Sequence, residues 1–307
     1  MPTIMITGAS GFVGGHVVRE AEQRQIGLRV MARRRTGPDS GRRVVHGDLA
    51  DPASLRGVCD GVDVVIHCAS QIGGTVEANE AVNALGTTAL VAEARRAGVS
   101  RIVYLSTASV YGRGVFRGGR PEELSRNPGS PTSRTRAVAE DAVLSVGGTV
   151  LRPHLVYGEG DTWVGPGLIR ILRTLPGTVA GWPSLMSVIA VRDLARLLVA
   201  TALAPRSALT APVYHAAHPV PVRADTVLRA VAECTATPWP DRELTVERAR
   251  TILAAHGQPP SALDMLTTDH FFGSEPLWSD LGLDPGAGFD DGFQGAAHWY
   301  RKTLTAA

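Results

Sequence analysis

Lysine is almost missing from this sequence: of 31 Lys+Arg residues only Lys302 is a lysine, which leaves 30 arginines. No proton relay through a lysine ammonium is therefore available to the rest of the chain. Cysteine is also scarce. Cys59, Cys68 and Cys234 lie far apart, with no CxxC pair and no His/Cys spacing suited to zinc, which argues against disulfide and metal roles. No stretch approaches the roughly 20 continuous apolar residues that span a bilayer, and the N-terminus runs straight into a strand without a basic, apolar leader; the expectation is a cytoplasmic protein without a membrane partner. No charge of one sign dominates, since the formal net charge is +2. The basic residues are dispersed apart from Arg33-Arg34-Arg35, with Arg42 and Arg43 nearby, so no broad face offers itself to nucleic acid. The chain shows no GxSxG elbow and no His-Glu-x-x-His run, which disfavours a hydrolase.

What is present is a core-forming α/β pattern. With 307 residues and 44% hydrophobic content, the chain can bury one large α/β unit or a nucleotide domain with a smaller companion. Thr3 to Thr7 is a short apolar run, and His16 to Gln25 reads as the first helix. Leu28 to Ala32, Val44-Val45, Val62 to Cys68 and Arg101 to Ser106 read as strands; the valine and isoleucine of 62–68 are continuous, as in a strand buried on both faces. Asn79 to Ala97 carries Val82, Leu85, Ala89 and Leu90 at helical spacing and ends at Gly98. The alternation implies a Rossmann-type, doubly wound parallel sheet, whose ligands sit beyond the carboxyl ends of the strands. The expected division is a predominantly dinucleotide-binding domain over 1–155 and a smaller substrate-binding part over 156–307, with some segments returning to the sheet. Gly112 to Pro131, rich in Gly, Arg and Pro, reads as a mobile loop over that edge, either a lid or a surface excursion. All five tryptophans fall in the second half, where core packing is their commoner role.

After the first strand comes Thr7-Gly8-Ala9-Ser10-Gly11-Phe12-Val13-Gly14. A glycine triplet alone marks only a tight strand-helix turn. At the first strand of an alternating α/β chain it predicts nucleotide binding: Gly8 for the turn, Gly11 for close approach of a pyrophosphate, Gly14 for helix-strand packing, and the helix N-terminus for amide donors. A site selective for NAD usually has an acidic residue at the end of the second strand; here that strand runs into Arg33 and Arg34. Arginine forks match a 2′-phosphate, so NADP(H) is the expected cofactor, with NAD(H) as the alternative if the cluster is merely a solvated turn. Asp48, followed by Leu49, is placed to accept from the adenine amino group.

These residues, joined by ordered motifs along most of the chain, resemble the extended short-chain dehydrogenase/reductases, a family of sugar epimerases, dehydratases and ketone reductases. Thr7 to Gly15 resembles its TGxxGFxG. The run Val65-Ile66-His67-Cys68-Ala69-Ser70 resembles the strand and turn beneath the nicotinamide ribose, and Asn83 to Thr87 its NxxGT helix. Leu105 to Gly112 resembles the strand bearing the active-site hydroxyl, here Thr107 beside Ser106. Leu151-Arg152-Pro153, through His154 to Val156-Tyr157-Gly158, matches the segment closing over the nicotinamide; Val191-Arg192-Asp193 and Leu281 to Pro285 also have counterparts. The resemblance thus implies Cys68, Ala69, Ser70, Pro153 and His154 as further cofactor neighbours. It breaks at the family's Pro-Tyr-x-x-Ser-Lys run, which here reads Pro131-Thr132-Ser133-Arg134-Thr135-Arg136. Thr132 holds the tyrosine position and Arg136 that of the lysine, and with no lysine before 302 no other register restores the pair.

A threonine hydroxyl does not replace a tyrosine whose acidity, near pKa 10 in water, is raised by a neighbouring cation. Arg136 keeps the ability to hydrogen-bond the nicotinamide ribose but does not relay protons. His154 is either a packed neutral histidine or a substitute acid. The first functional expectation is an NADPH-dependent ketoreductase for an aromatic ketone, the proton coming from substrate or water. In this the chain is similar to the atypical ketoreductases of aromatic polyketide (angucyclinone) antibiotic biosynthesis. A non-catalytic NADP(H)-responsive binding protein and a non-redox lyase or cyclase are the alternatives. A homo-oligomer is compatible with all three.

Overall fold

The computed structural model describes residues 2–33 and 43–304. Four parallel strands form first in the chain: β1 (Thr3–Thr7), β2 (Gly27–Ala32), β3 (Arg43–His46) and β4 (Val64–His67), with helix α1 (Phe12–Gln23) between the first two. A helical segment comes next in three pieces: α2 (Val76–Asn79), a π-helical stretch (Glu80–Gly86) and α3 (Thr87–Arg96). Then come β5 (Arg101–Leu105), β6 (Phe116–Gly119), α4 (Pro131–Leu144), β7 (Thr149–Arg152) and β8 (Leu155–Tyr157). The central sheet has seven strands in the order 213–215, β7, β5, β4, β1, β2, β3, all parallel. This is the doubly wound order in which the chain turns from one side of β1 to the other, opening a crevice at the carboxyl edge.

Side-chain alternation explains why both faces of the sheet are covered. Ile4 and Ile6, Val64 and Ile66, and Val103 and Leu105 point to one face, where they pack with Val17 and Val18 of α1 and with α6 (Val191–Leu203, after α5, Val164–Thr174). Met5, Val65, Ile102 and Tyr104 point to the other, against Leu90, Val91 and Val143. A strand buried on both sides has no polar positions to spare, hence the continuous apolar runs. A further hydrophobic cluster packs around Leu155, Leu168, Trp182, Phe289 and Tyr300. A four-stranded sheet joins 222–223, 185–186, 270–272 and β6. No helix among the described residues is long and apolar enough to cross a membrane.

Three sequence expectations are corrected. The first helix begins at Phe12, not His16, because α1 uses the glycines of the phosphate loop as its first turn. The helix expected over 79–97 begins at Val76 and contains the π-helical stretch, a feature that periodicity at 3.6 residues does not reveal. The 112–131 segment is fastened: β6 pairs in parallel with His270–Phe272, and the Asn127 amide donates to the Val110 carbonyl at 2.9 Å. Phe116, its one aromatic residue, packs against Tyr111, His270 and Phe272 and supplies the anchor that glycine and arginine do not.

Candidate active site and cofactor crevice

Parallel strands carry the predicted residues to one edge. Gly8 to Val13 follow β1, Arg33 follows β2, Asp48 follows β3, Cys68 to Ser70 follow β4, Ser106 and Thr107 follow β5, and Pro153 and His154 follow β7. Arg34 lies outside the described residues.

The glycines divide into two kinds. Gly8 has φ +71°, and a Cβ there would lie 2.6 Å from the Ala69 amide nitrogen; a Cβ on Gly14 would lie 2.1 Å from the Gly8 carbonyl oxygen. Both are dictated by backbone meeting backbone. Gly11 is exposed, and among the described residues no side chain caps the N-terminus of α1. The first-turn amides are thus left for an external acceptor, which fits the pyrophosphate of a dinucleotide.

A buried polar chain pins the floor of the crevice. The Ala69 amide donates to Thr7 Oγ1 at 3.2 Å; the Thr7 hydroxyl bonds His67 Nδ1 at 2.6 Å, and His67 Nε2 bonds Thr87 Oγ1 at 2.9 Å. Asn83, set on the π-helical stretch, accepts from the Ser70 hydroxyl at 3.1 Å and from the Gln71 amide at 2.8 Å, and donates to the Gln71 carbonyl at 2.9 Å. The 68–71 turn is therefore fixed from both sides.

After β3, Asp48 is half-buried and takes the Ala50 amide on Oδ1 at 3.0 Å, while its own amide donates to Ser54 Oγ. Leu49 is 4% exposed and packs in the core, so only its backbone is left to face a ligand. Arg33 is exposed at the end of β2.

The positions of the family's acid pair are occupied as follows. Thr132 donates its hydroxyl to Asn79 Oδ1 at 2.8 Å and accepts the Gly73 amide at 3.2 Å, so its proton is already engaged. Arg136, 8% exposed, donates to the Leu105 carbonyl at the end of β5, and among the described residues its Nε has no partner. That buried, unsatisfied N–H at the carboxyl edge fits a missing hydroxyl acceptor such as a ribose.

Ser106 and Thr107 part company. The Ser106 hydroxyl is 1% exposed and donates to Glu140 Oε1 at 2.5 Å. Thr107 is half-buried; it accepts the Ser109 amide at 3.1 Å and turns its proton to the hydroxyl of exposed Ser109 at 3.1 Å, a partner that a substrate oxygen can displace. Pro153 gives its carbonyl to the Ala108 amide at 2.8 Å, which ties the end of β7 to the segment after β5. His154 stacks on His270 with centroids 5.6 Å apart and leaves Nε2 buried without a partner.

The buried imidazoles resist protonation. Burial pushes His67 down to about 3, with the nearby Arg136 charge adding to the effect. His154 falls to about 3 by burial, then by repulsion from His270 and His215, and His215 to about 4, chiefly by burial. Unfolded histidine titrates near pH 6.5. Above that value these rings are neutral in both states and titration contributes nothing; below it the unfolded chain binds protons that the folded one refuses. Stability is therefore expected to fall as pH drops from 6.5 toward 4, by at most about 1.4 kcal/mol per histidine per pH unit. Urea midpoints at pH 7.5 and 5.5 check this, and equal midpoints contradict it.

The deciding comparison is with the model of the family described as NAD dependent epimerase/dehydratase family, which matches residues 4–217, well over half of the chain. The chain belongs to this family. Among curated relatives, it is 28% identical to the 2-alkyl-3-oxoalkanoate reductase of Stenotrophomonas maltophilia over 95% of this chain and 97% of that protein. It is 30% identical to the 4-hydroxy-2-methyl-3-oxo-4-farnesyl-3,4-dihydroquinoline-1-oxide ketoreductase of Stigmatella aurantiaca, over 55% of this chain and 54% of that one. Of solved structures, the UDP-glucose 4-epimerase of Thermus thermophilus, in complex with NAD, superposes with a TM-score of 0.74 at 21% identity, covering 98% of this chain and 99% of that one. The family and its reductase-named relatives identify an NAD(P)-dependent oxidoreductase on a Rossmann-type fold.

Sequence reasoning missed the partners. Asn79 and Gly73 hold Thr132, Glu140 holds Ser106, and Thr7 and Thr87 hold His67. The only available signal was a polar residue inside an otherwise apolar strand, as at Thr7 and His67.

Proposed function

We propose that this protein is an NADPH-dependent ketoreductase acting on an aromatic polyketide-type ketone, with the proton supplied by the substrate or water. One observation carries the reading: the glycine turn and α1 keep an intact seat for a dinucleotide, while Thr132 at the tyrosine position has its hydroxyl proton committed to Asn79. When bound, the reduced nicotinamide supplies a hydride to the carbonyl carbon. Arg136, whose Nε–H has no partner among the described residues, would hold the ribose, and Arg33 would offer its guanidinium to a 2′-phosphate. Thr107 turns its hydroxyl from Ser109 to the substrate oxygen and polarises the carbonyl. Burial keeps His154 and His215 uncharged, and the oxygen takes its proton from a phenol of the substrate, itself reprotonated from water. The Stigmatella relative, whose name describes a 3-oxo group beside a 4-hydroxyl on a dihydroquinoline, supports a ring-borne ketone with a neighbouring hydroxyl.

Purified protein mixed with NADPH and a panel of phenolic ring ketones is expected to consume NADPH and form the alcohol, followed by absorbance and product mass. Thr107→Ala is expected to lower kcat by about tenfold, the worth of one neutral hydrogen bond in a dry site. Tight NADPH binding without turnover on any ketone would instead indicate a binding protein.

A further inference from the structure

The cation at the nicotinamide end of the crevice stands without a counterion. Arg136 is 8% exposed, and among the described residues no carboxylate lies within ion-pair distance of it; its hydrogen bond goes to the neutral Leu105 carbonyl. The carboxylate one helical turn on, Glu140, is already held by Arg152 at 2.5 Å and Arg126 at 3.3 Å. The groups facing Arg136 from β4 and β5 are neutral. Burial keeps His67 uncharged, pushes the Cys68 thiol up to about 12, and raises the Tyr104 phenol, whose ring lies 5.9 Å from the Arg136 guanidinium carbon. A guanidinium does not lose its proton in a protein, so this is one fixed positive charge at every working pH.

The two redox forms of the cofactor differ at the adjoining ring, which is cationic when oxidised and neutral when reduced. We infer that Arg136 makes this site select the reduced nicotinamide over the oxidised one and thereby favours loading of reduced cofactor and release of the spent one. The inference rests on the functional reading above, in that it needs the nicotinamide half to lie at the ends of β4 and β5. With an amine and a phenol at these positions, loss of the phenol proton would offset the cation; Thr132 offers no such anion. One unscreened charge at several ångströms, in a partly buried site, is worth on the order of tenfold in binding.

The test is a set of dissociation constants for NADPH, NADP+, NADH and NAD+ at fixed ionic strength, by calorimetry, in the native protein, Arg136→Lys and Arg136→Met. The native protein is expected to bind the reduced member of each pair about tenfold tighter. Arg136→Lys should keep that ratio, and Arg136→Met should lose most of it. Equal affinity for reduced and oxidised forms in the native protein overturns the inference alone, and so does a ratio unchanged in a folded Arg136→Met. Should Arg136→Met not fold, the native and lysine ratios still decide. Failure of all four dinucleotides to bind overturns this inference and the functional reading together.

Discussion

Glu140→Ala is expected to lower the stability of this protein by about 3–5 kcal/mol, a large part of the 5–15 kcal/mol typical of a folded chain. Glu140 is fully buried on α4 and carries four contacts: Ser106 Oγ at 2.5 Å and Arg152 Nε at 2.8 Å on one oxygen, and Arg152 Nη2 at 2.5 Å and Arg126 Nη1 at 3.3 Å on the other. Removing the carboxylate leaves the Arg152 guanidinium, 5% exposed, as a buried charge with, among the described residues, the Tyr111 hydroxyl at 2.7 Å as its remaining hydrogen-bond partner. The penalty comes from the stranded cation more than from the lost attraction. Pairing Glu140→Leu with Arg152→Met removes both charges and should recover much of the loss. Denaturant midpoints of the single and double variants measure it; a single variant as stable as the native chain contradicts the assignment.

The second large effect concerns the turn that seats the cofactor. Gly14→Ala places a methyl 2.1 Å from the Gly8 carbonyl oxygen, and Gly8 is itself pressed against the Ala69 amide. Neither neighbour is a side chain able to swing aside, so α1 must lift from β1, carrying its N-terminal amides with it. NADPH affinity is expected to fall at least about 100-fold, or roughly 2.7 kcal/mol, with an overpacking cost of about 1–3 kcal/mol in stability. Fluorescence titration of a folded variant reads the first directly, and near-native affinity would show that the turn does not seat the dinucleotide. Gly11→Ala, whose Cβ meets only the Gly8 carbonyl at 3.2 Å, should be milder for folding.

Much of this architecture is legible in the sequence. Continuous apolar runs such as Val64 to Ile66 announce strands buried on both faces, and glycines at 8, 11 and 14 mark the turn after the first of them. The start of α1 is not legible, since glycine is a poor helix former and its presence here answers to packing. The commitments of individual hydroxyls are hidden for a different reason. Ser106 and Thr107 are adjacent and chemically alike, yet one is spent on Glu140, 34 positions away, and the other is free to turn outward. Thr132 is engaged by Asn79, 53 positions away, and Leu49 is drawn into the core. These are tertiary facts, decided by which strand end faces which helix. The absence of lysine from α4, by contrast, is written in the sequence, because a chain with a single lysine at 302 has none to place there.

The most direct measurement compares two ketones that differ in one methyl group: a ring ketone with a free phenol beside its carbonyl, and the same compound as its methyl ether. With NADPH and the native protein, the phenol is expected to be reduced at least about 100-fold faster, the scale of a positioned general acid. Equal rates for phenol and ether would show that the substrate's phenol is not the proton source and would contradict the account.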